Sequence, residues 1–195
     1  MDLTSSAHSQ TQNQLIEADD KQWFVMRGLT RANAKMPAYR ILEEQNIRCF
    51  TPMTYKLFVR NGKRERRAVP FIHDLLFAYD TRSVLNPIVE RVSTLQYHYQ
   101  RGAYCCAMTV PQADMERFIS AVESVPTPHY YRPEEITPDM LHHRIRIVGG
   151  TLSGYEGYLQ STRGSKVKRL LVEIPSLLTA AVEVAPEYIQ LLNEE

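Results

Sequence analysis

The chain is poor in cysteine, glycine and tryptophan, with 3, 8 and 1 in 195 residues. Cys49, Cys105 and Cys106 form an odd set, and the adjacent pair has poor geometry for a mutual disulfide. No C-x-x-C occurs, so a zinc site lacks its usual ligand spacing. The thiols read as reduced and partly buried in a cytosolic protein. No hydrophobic run reaches transmembrane length. Residues 1–20 are rich in Ser, Thr, Gln and Asn, without the apolar core or positive start of a signal peptide, and read as a disordered tail. Excess charge is also missing: the formal net charge is +1. That excludes a globally basic nucleic-acid binder but leaves local patches open.

Catalytic signatures are absent too. There is no P-loop, dinucleotide fingerprint or nucleophile motif. His73-Asp74 and His142-His143 are the only pairs that suggest catalysis. Adjacent residues in a strand point to opposite faces, so neither is expected to form a dyad or metal clamp. The sequence therefore reads as a non-catalytic, cytoplasmic, monomeric protein with no cofactor, metal or membrane contact.

What is present is a succession of short apolar segments. Trp23-Phe24-Val25-Met26 predicts a buried strand ending at Gly28. A helix is expected from Ala34 to Gln45, capped by Asn33, with Pro37 in its first turn. Strands follow at Ile47 to Phe50 and Tyr55 to Arg60. Asn61-Gly62 is a strong hairpin signal, with a return arm from Lys63. Leu75 to Tyr79 reads as a central strand, Ser83 to Val92 as a helix capped by Ser83, and Leu95 to Tyr99 and Tyr104 to Val110 as strands. Pro111 opens a helix whose Met115, Phe118, Ile119 and Val122 share a face.

Prolines at 126, 128, 133 and 138 then mark a stiff linker over 126–138. Beyond it the chain is strand-rich: Arg144 to Val148, Leu170 to Ile174 and Val182 to Val184, with glycine turns at Gly149-Gly150 and Gly154-x-x-Gly157. So many short strands in so few residues predict a small closed barrel. The expected fold is α+β: an N-terminal antiparallel sheet flanked by helices over 21–125, the linker, and a C-terminal β-barrel over 139–195.

Three segments together resemble the NusG family of transcription elongation factors. They are Trp23-Phe24-Val25-Met26 with its following helix, the stretch from Phe50-Thr51-Pro52-Met53 to Leu75-Leu76-Phe77-Ala78, and Arg144 to Gly157. The last is similar to the KOW motif, a V-x-V strand before a G-x-x-x-G-x-x-G turn. Within the family the chain is similar to the UpxY-type antiterminators of capsular polysaccharide operons. It departs from the pattern at His73-Asp74, where Pro-Gly or Pro-Asn is usual, and at Thr151, where Pro often stands.

The resemblance implies an NGN-like first domain and an SH3-like KOW barrel. It implies RNA polymerase as partner, its clamp helices held by a pocket with Arg27, Leu75 and Phe77. For the last two the alternative is simple core. It implies contact with non-template DNA through Arg31, Lys35 and Tyr39, against the alternative of an ordinary solvated helix face. The hairpin cations Lys56, Arg60, Lys63, Arg64, Arg66 and Arg67, opposed only by Glu65, are candidates for phosphate contacts; the alternative is a solvated tip that discourages edge pairing. In the barrel, Leu152, Tyr155 and Glu156 would meet a ribosomal protein or termination factor, unless Leu152 is core and the glycines serve only the turn. The implied function is an elongation or antitermination factor. The competing function is an RNA- or ribosome-binding KOW protein with no hold on polymerase.

Overall fold

A computed structural model describes residues 20–29, 36–102, 105–141, 143–161 and 167–192. Nearly all of the expected tail, 1–19, lies outside the described residues, as do Arg31, Asn33, Lys35 and His142. The described chain is mixed α+β, mostly sheet, with three α-helices.

The first sheet contains β1 (Gln22–Gly28), β2 (Arg48–Phe50), β5 (Leu75–Asp80), β6 (Leu95–Tyr97) and β7 (Thr109–Val110). Its order is β2-β5-β1-β6, with β7 also paired to β1, and every pair is antiparallel. The register sets Trp23 against Tyr79 and Val25 against Phe77 on one face, and Phe24 against Ala78 and Met26 against Leu76 on the other. The second face packs on α1 (Ala38–Glu44) and α2 (Arg82–Arg91) through Ala38, Leu42, Leu85 and Ile88. The first face meets α3 (Gln112–Glu123), whose Met115, Phe118, Ile119, Ala121 and Val122 are buried.

Helix starts differ from expectation by a few residues, for identifiable reasons. Helix α1 begins at Ala38, not Ala34, because Pro37 is extended (φ −61°, ψ 147°) and the residue before a proline is pushed out of the helical region. Thr81, not Ser83, caps α2: its hydroxyl accepts from the Val84 N–H at 3.3 Å. Pro111 stands just before α3 rather than in its first turn.

Strands β3 (Met53–Arg60) and β4 (Lys63–Pro70) form a two-stranded ribbon that, among the described residues, pairs only with itself. The turn is as expected. Asn61 and Gly62 both have positive φ, 50° and 74°, which the tight hairpin turn demands.

The second sheet runs β13-β9-β10-β11-β12-β8, all antiparallel. Its strands are β8 (His129–Tyr131), β9 (His143–Ile147), β10 (Glu156–Ser161), β11 (Lys168–Ile174), β12 (Leu178–Val184) and β13 (Ile189–Leu191). Two expectations change here. The stretch read as a linker supplies β8, since its proline-free triplet 129–131 can donate to a ladder that Pro128 and Pro133 could not. Among the described residues the ladder does not close into a barrel: its edge strands, β13 and β8, do not pair with each other. Gly157 on β10 is obligatory, since an added Cβ would collide with the Leu171 carbonyl.

One apolar core joins the two sheets. It runs from Trp23, Val25 and Phe77 through α3 to Ile145, Leu170, Val172, Ile174 and Val182. The Phe118 ring lies 6.4 Å from Tyr130 of β8, and Phe71 lies 5.4 Å from the same ring. An Arg48–Glu116 ion pair at 3.2 Å ties β2 to α3 at the surface, where such pairs add little.

Candidate nucleic-acid interface

The ribbon brings the hairpin cations together, and strand periodicity sorts them by face. Lys56 lies opposite Arg67, Phe58 opposite Glu65, and Arg60 opposite Lys63. The other face carries Tyr55, Leu57 and Val59, with Arg66 opposite Leu57 and Arg64 opposite Val59. From Tyr55 to Ala68 every residue is exposed. The Arg66 guanidinium sits 4.2 Å over the Tyr55 ring, a cation–π contact. Arg67 donates to Glu65 at 2.5 Å, and that hydrogen bond holds the Glu65 carboxyl below its ordinary pKa. Lys56, Arg60, Lys63 and Arg64 have no such ion pair among the described residues. An exposed, cationic ribbon of this kind can lie along a polyphosphate.

Beside the ribbon lies an open cleft of about 580 Å³. Its walls are Pro37 and Tyr39 of the α1 end and Lys56, Phe58 and Val69 of the ribbon, with Gly28, Leu75 and Leu76 at the base. Of the three expected DNA contacts near α1, only Tyr39 is described; it is half-buried, lines this cleft and has the Arg40 guanidinium 5.6 Å over its ring. His73 and Asp74, also at the cleft, lie in a turn and not a strand. Their side chains therefore meet, His73 Nδ1 to Asp74 Oδ1 at 2.9 Å, contrary to the opposite-face expectation.

Of the expected polymerase residues, Leu75 lines the base of this cleft and Phe77 does not. Phe77 has no exposed surface and Leu75 is buried in the same core, under Phe50, Phe118 and their neighbours. Arg27 is exposed at the end of β1, beside Gln96 and Tyr97. In the turn between β9 and β10 Leu152 is buried core, and Tyr155 is partly buried against the same core. Glu156 accepts from Arg146 at 2.5 Å and Arg144 at 3.3 Å. The Arg146 hydrogen bond and the positive field of the neighbouring arginines lower its carboxyl pKa.

The apolar surface that the sequence hid is on the ribbon. Tyr55, Leu57, Phe58 and Val59 read as ordinary strand residues, yet all four are exposed. The signal was the length of the hairpin: its eight-residue arms are longer than the three-residue β2 and pair with no other strand among the described residues. Cys105 and Cys106 are likewise exposed, while Cys49 is half-buried and desolvation raises its thiol to about 11. No group of three or more His, Cys, Asp or Glu that could hold a metal occurs among the described residues. Nor is any described helix long and apolar enough to cross a membrane.

No family model matches this chain, and no curated protein matches it. Among solved structures it is similar to one described as "Domain interaction in Thermotoga maritima NusG", at 10% identity over 89% of this chain and 98% of that chain, with a TM-score of 0.43. An overlap of that degree carries no further argument.

Proposed function

We propose that the chain is a transcription elongation or antitermination factor that binds RNA polymerase and nucleic acid together and works without catalysis. The observation that carries the reading is the β3–β4 ribbon. Six cations and one acid within 56–67 are displayed on an exposed hairpin that pairs with neither sheet among the described residues. The resemblance of three ordered segments to NusG-family proteins supplies polymerase as the partner. It also supplies specialised operons, such as those for capsular polysaccharide, as the setting.

The mechanism would be bridging. A factor that holds polymerase and nucleic acid at once favours whichever state of the enzyme allows both contacts, by the difference in its affinity for the two states. The polymerase contact would not use Phe77 as it stands, because that ring is interior. The open surfaces nearest the matched segments are Arg27 and the cleft between α1 and the ribbon.

Co-purification of the tagged chain with polymerase from a cell extract, followed by a single-round pausing assay, tests the reading. Retained polymerase and shortened pauses are expected. Recovery of ribosomes without polymerase would favour the ribosome-binding reading and overturn this one.

A further inference from the structure

We propose that the β3–β4 ribbon reads double-stranded DNA, entering the major groove with the face that carries Lys56, Arg60, Lys63 and Arg67. The inference rests on the nucleic-acid half of the function proposed above and goes beyond it by naming the form of nucleic acid and the face that meets it.

The first argument is electrostatic. On this face Lys56 lies directly opposite Arg67, and Arg60 directly opposite Lys63. Like charges opposed across a ladder repel and destabilise it. Glu65 is the one acid on the face, and it is engaged by Arg67. Lys56, Arg60 and Lys63 have no acidic partner among the described residues. A polyanion laid along the face relieves both repulsions. The opposite face carries less charge: Arg64 and Arg66 are its two cations, against four cations and one acid here, and each face has one arginine over an aromatic ring, Arg66 on Tyr55 and Arg67 on Phe58.

The second argument is shape. Among the described residues strands β3 and β4 pair with nothing else, so the ribbon is two strands wide. Its eight-residue arms give a reach of about 25 Å at roughly 3.4 Å per residue. The B-DNA major groove, about 12 Å wide, admits a two-stranded ribbon, and arginine or lysine there pairs with guanine O6 and N7. The A-form major groove of RNA is too narrow for side chains to read. Single strands are held mainly by aromatic stacking. This face has one aromatic, Phe58; it lines the cleft beside α1 together with Lys56 and has the Arg67 guanidinium 5.9 Å over its ring, so Arg60 and Lys63 at the tip are the cations that lead into the groove.

The test is fluorescence anisotropy with the purified full chain and no polymerase. The probes are a guanine-rich 20-base-pair DNA duplex, one of its strands alone, and an RNA duplex of the same sequence, each over a salt series. The DNA duplex is expected to bind at least tenfold tighter than either competitor. The triple variant K56S/R60S/K63S should weaken duplex binding at least tenfold. It should also reduce the log–log salt slope by about 2 to 3, at ~0.9 per lost phosphate contact. Lys63→Glu alone, at the turn, should cost at least threefold, so the result does not depend on one variant folding. Leu57→Ser with Val59→Ser, on the opposite face, should stay within twofold. Replacing guanine by 7-deazaguanine, which removes N7, should weaken binding at least threefold with an unchanged salt slope. Equal or tighter binding of the single strand or the RNA duplex overturns the proposal. So does an equal loss from both faces, or no binding at all. Polymerase retention is scored separately on the same variants, so loss of one activity does not masquerade as loss of the other.

Discussion

Phe77 is fully buried, with its ring 6.4 Å from that of Phe50, so truncating it opens a cavity in the shared core. Phe77→Ala is expected to lower unfolding free energy by about 3–5 kcal/mol, read from urea titration. Any loss of partner binding in that variant would follow from unfolding. Cys49 behaves differently from its two companions. Burial keeps its thiol protonated up to about pH 11, whereas Cys105 and Cys106 are exposed. Iodoacetamide should modify two thiols quickly in the native protein and the third only on unfolding. The folded-state pKa is raised above the unfolded value, so this contribution to stability is complete below about pH 9 and declines as pH climbs towards 11. A Cys49→Ala variant, whose thiol is gone, should show a shallower alkaline decline in melting temperature.

The ribbon departs from the other elements because its backbone is bonded only across one ladder. Its base is fastened by the Phe71 N–H to the Pro52 carbonyl at 2.8 Å; its tip has no tertiary neighbour, and an added Cβ at Gly62 would touch nothing within 4 Å. Gly62→Ala therefore meets backbone strain rather than a clash. It should cost about 1 kcal/mol locally, visible as faster amide exchange in β3 and β4 with unchanged protection in β1 and β5. The turn was legible because Asn-Gly has few uses other than this backbone geometry. The β1 and β5 strands were legible because their apolar runs are bounded by polar and glycine residues. The ribbon's exposure was not legible, since Tyr55, Leu57 and Val59 alternate just as a half-buried strand does. Burial of Phe77 beneath α3 was hidden for a related reason: alternation says which residues share a face, not what covers that face. The start of α1 misled because the pattern ran through Pro37, whose effect on Met36 outweighed it. Strand β8 was lost among prolines, which argue against a strand only where a ladder N–H is needed.

At the scale of the molecule, α3 is shared. Its buried residues reach the first sheet on one side, and the helix lies against β11 and β12 of the second. Leu171 and Ala181 are buried as well as Leu170, Val172 and Val182, so the middle of β11 and β12 is covered on both faces. One core predicts one cooperative transition. Trp23, the single tryptophan, sits in the first sheet with no exposed surface and reports that half. Leu170→Ala, on the other side of α3, should cost about 2–5 kcal/mol. It should shift the Trp23 fluorescence midpoint by as much as the circular dichroism midpoint. A Trp23 midpoint unmoved by Leu170→Ala would show that the two sheets unfold independently.

The pairing of β8 with β12 has a further consequence for how the chain is made. The first sheet has all its strands once Val110 has left the ribosome, but Tyr130 must wait for its ladder partner Ala180. At synthesis rates of about 5–20 residues per second that delay is roughly 3 to 10 s. During it the side of α3 destined for the second sheet has no cover. The newborn chain thus passes through a stage in which Tyr130 and the outer side of α3 are made but unsheltered, and a chaperone that samples apolar surface would meet it then.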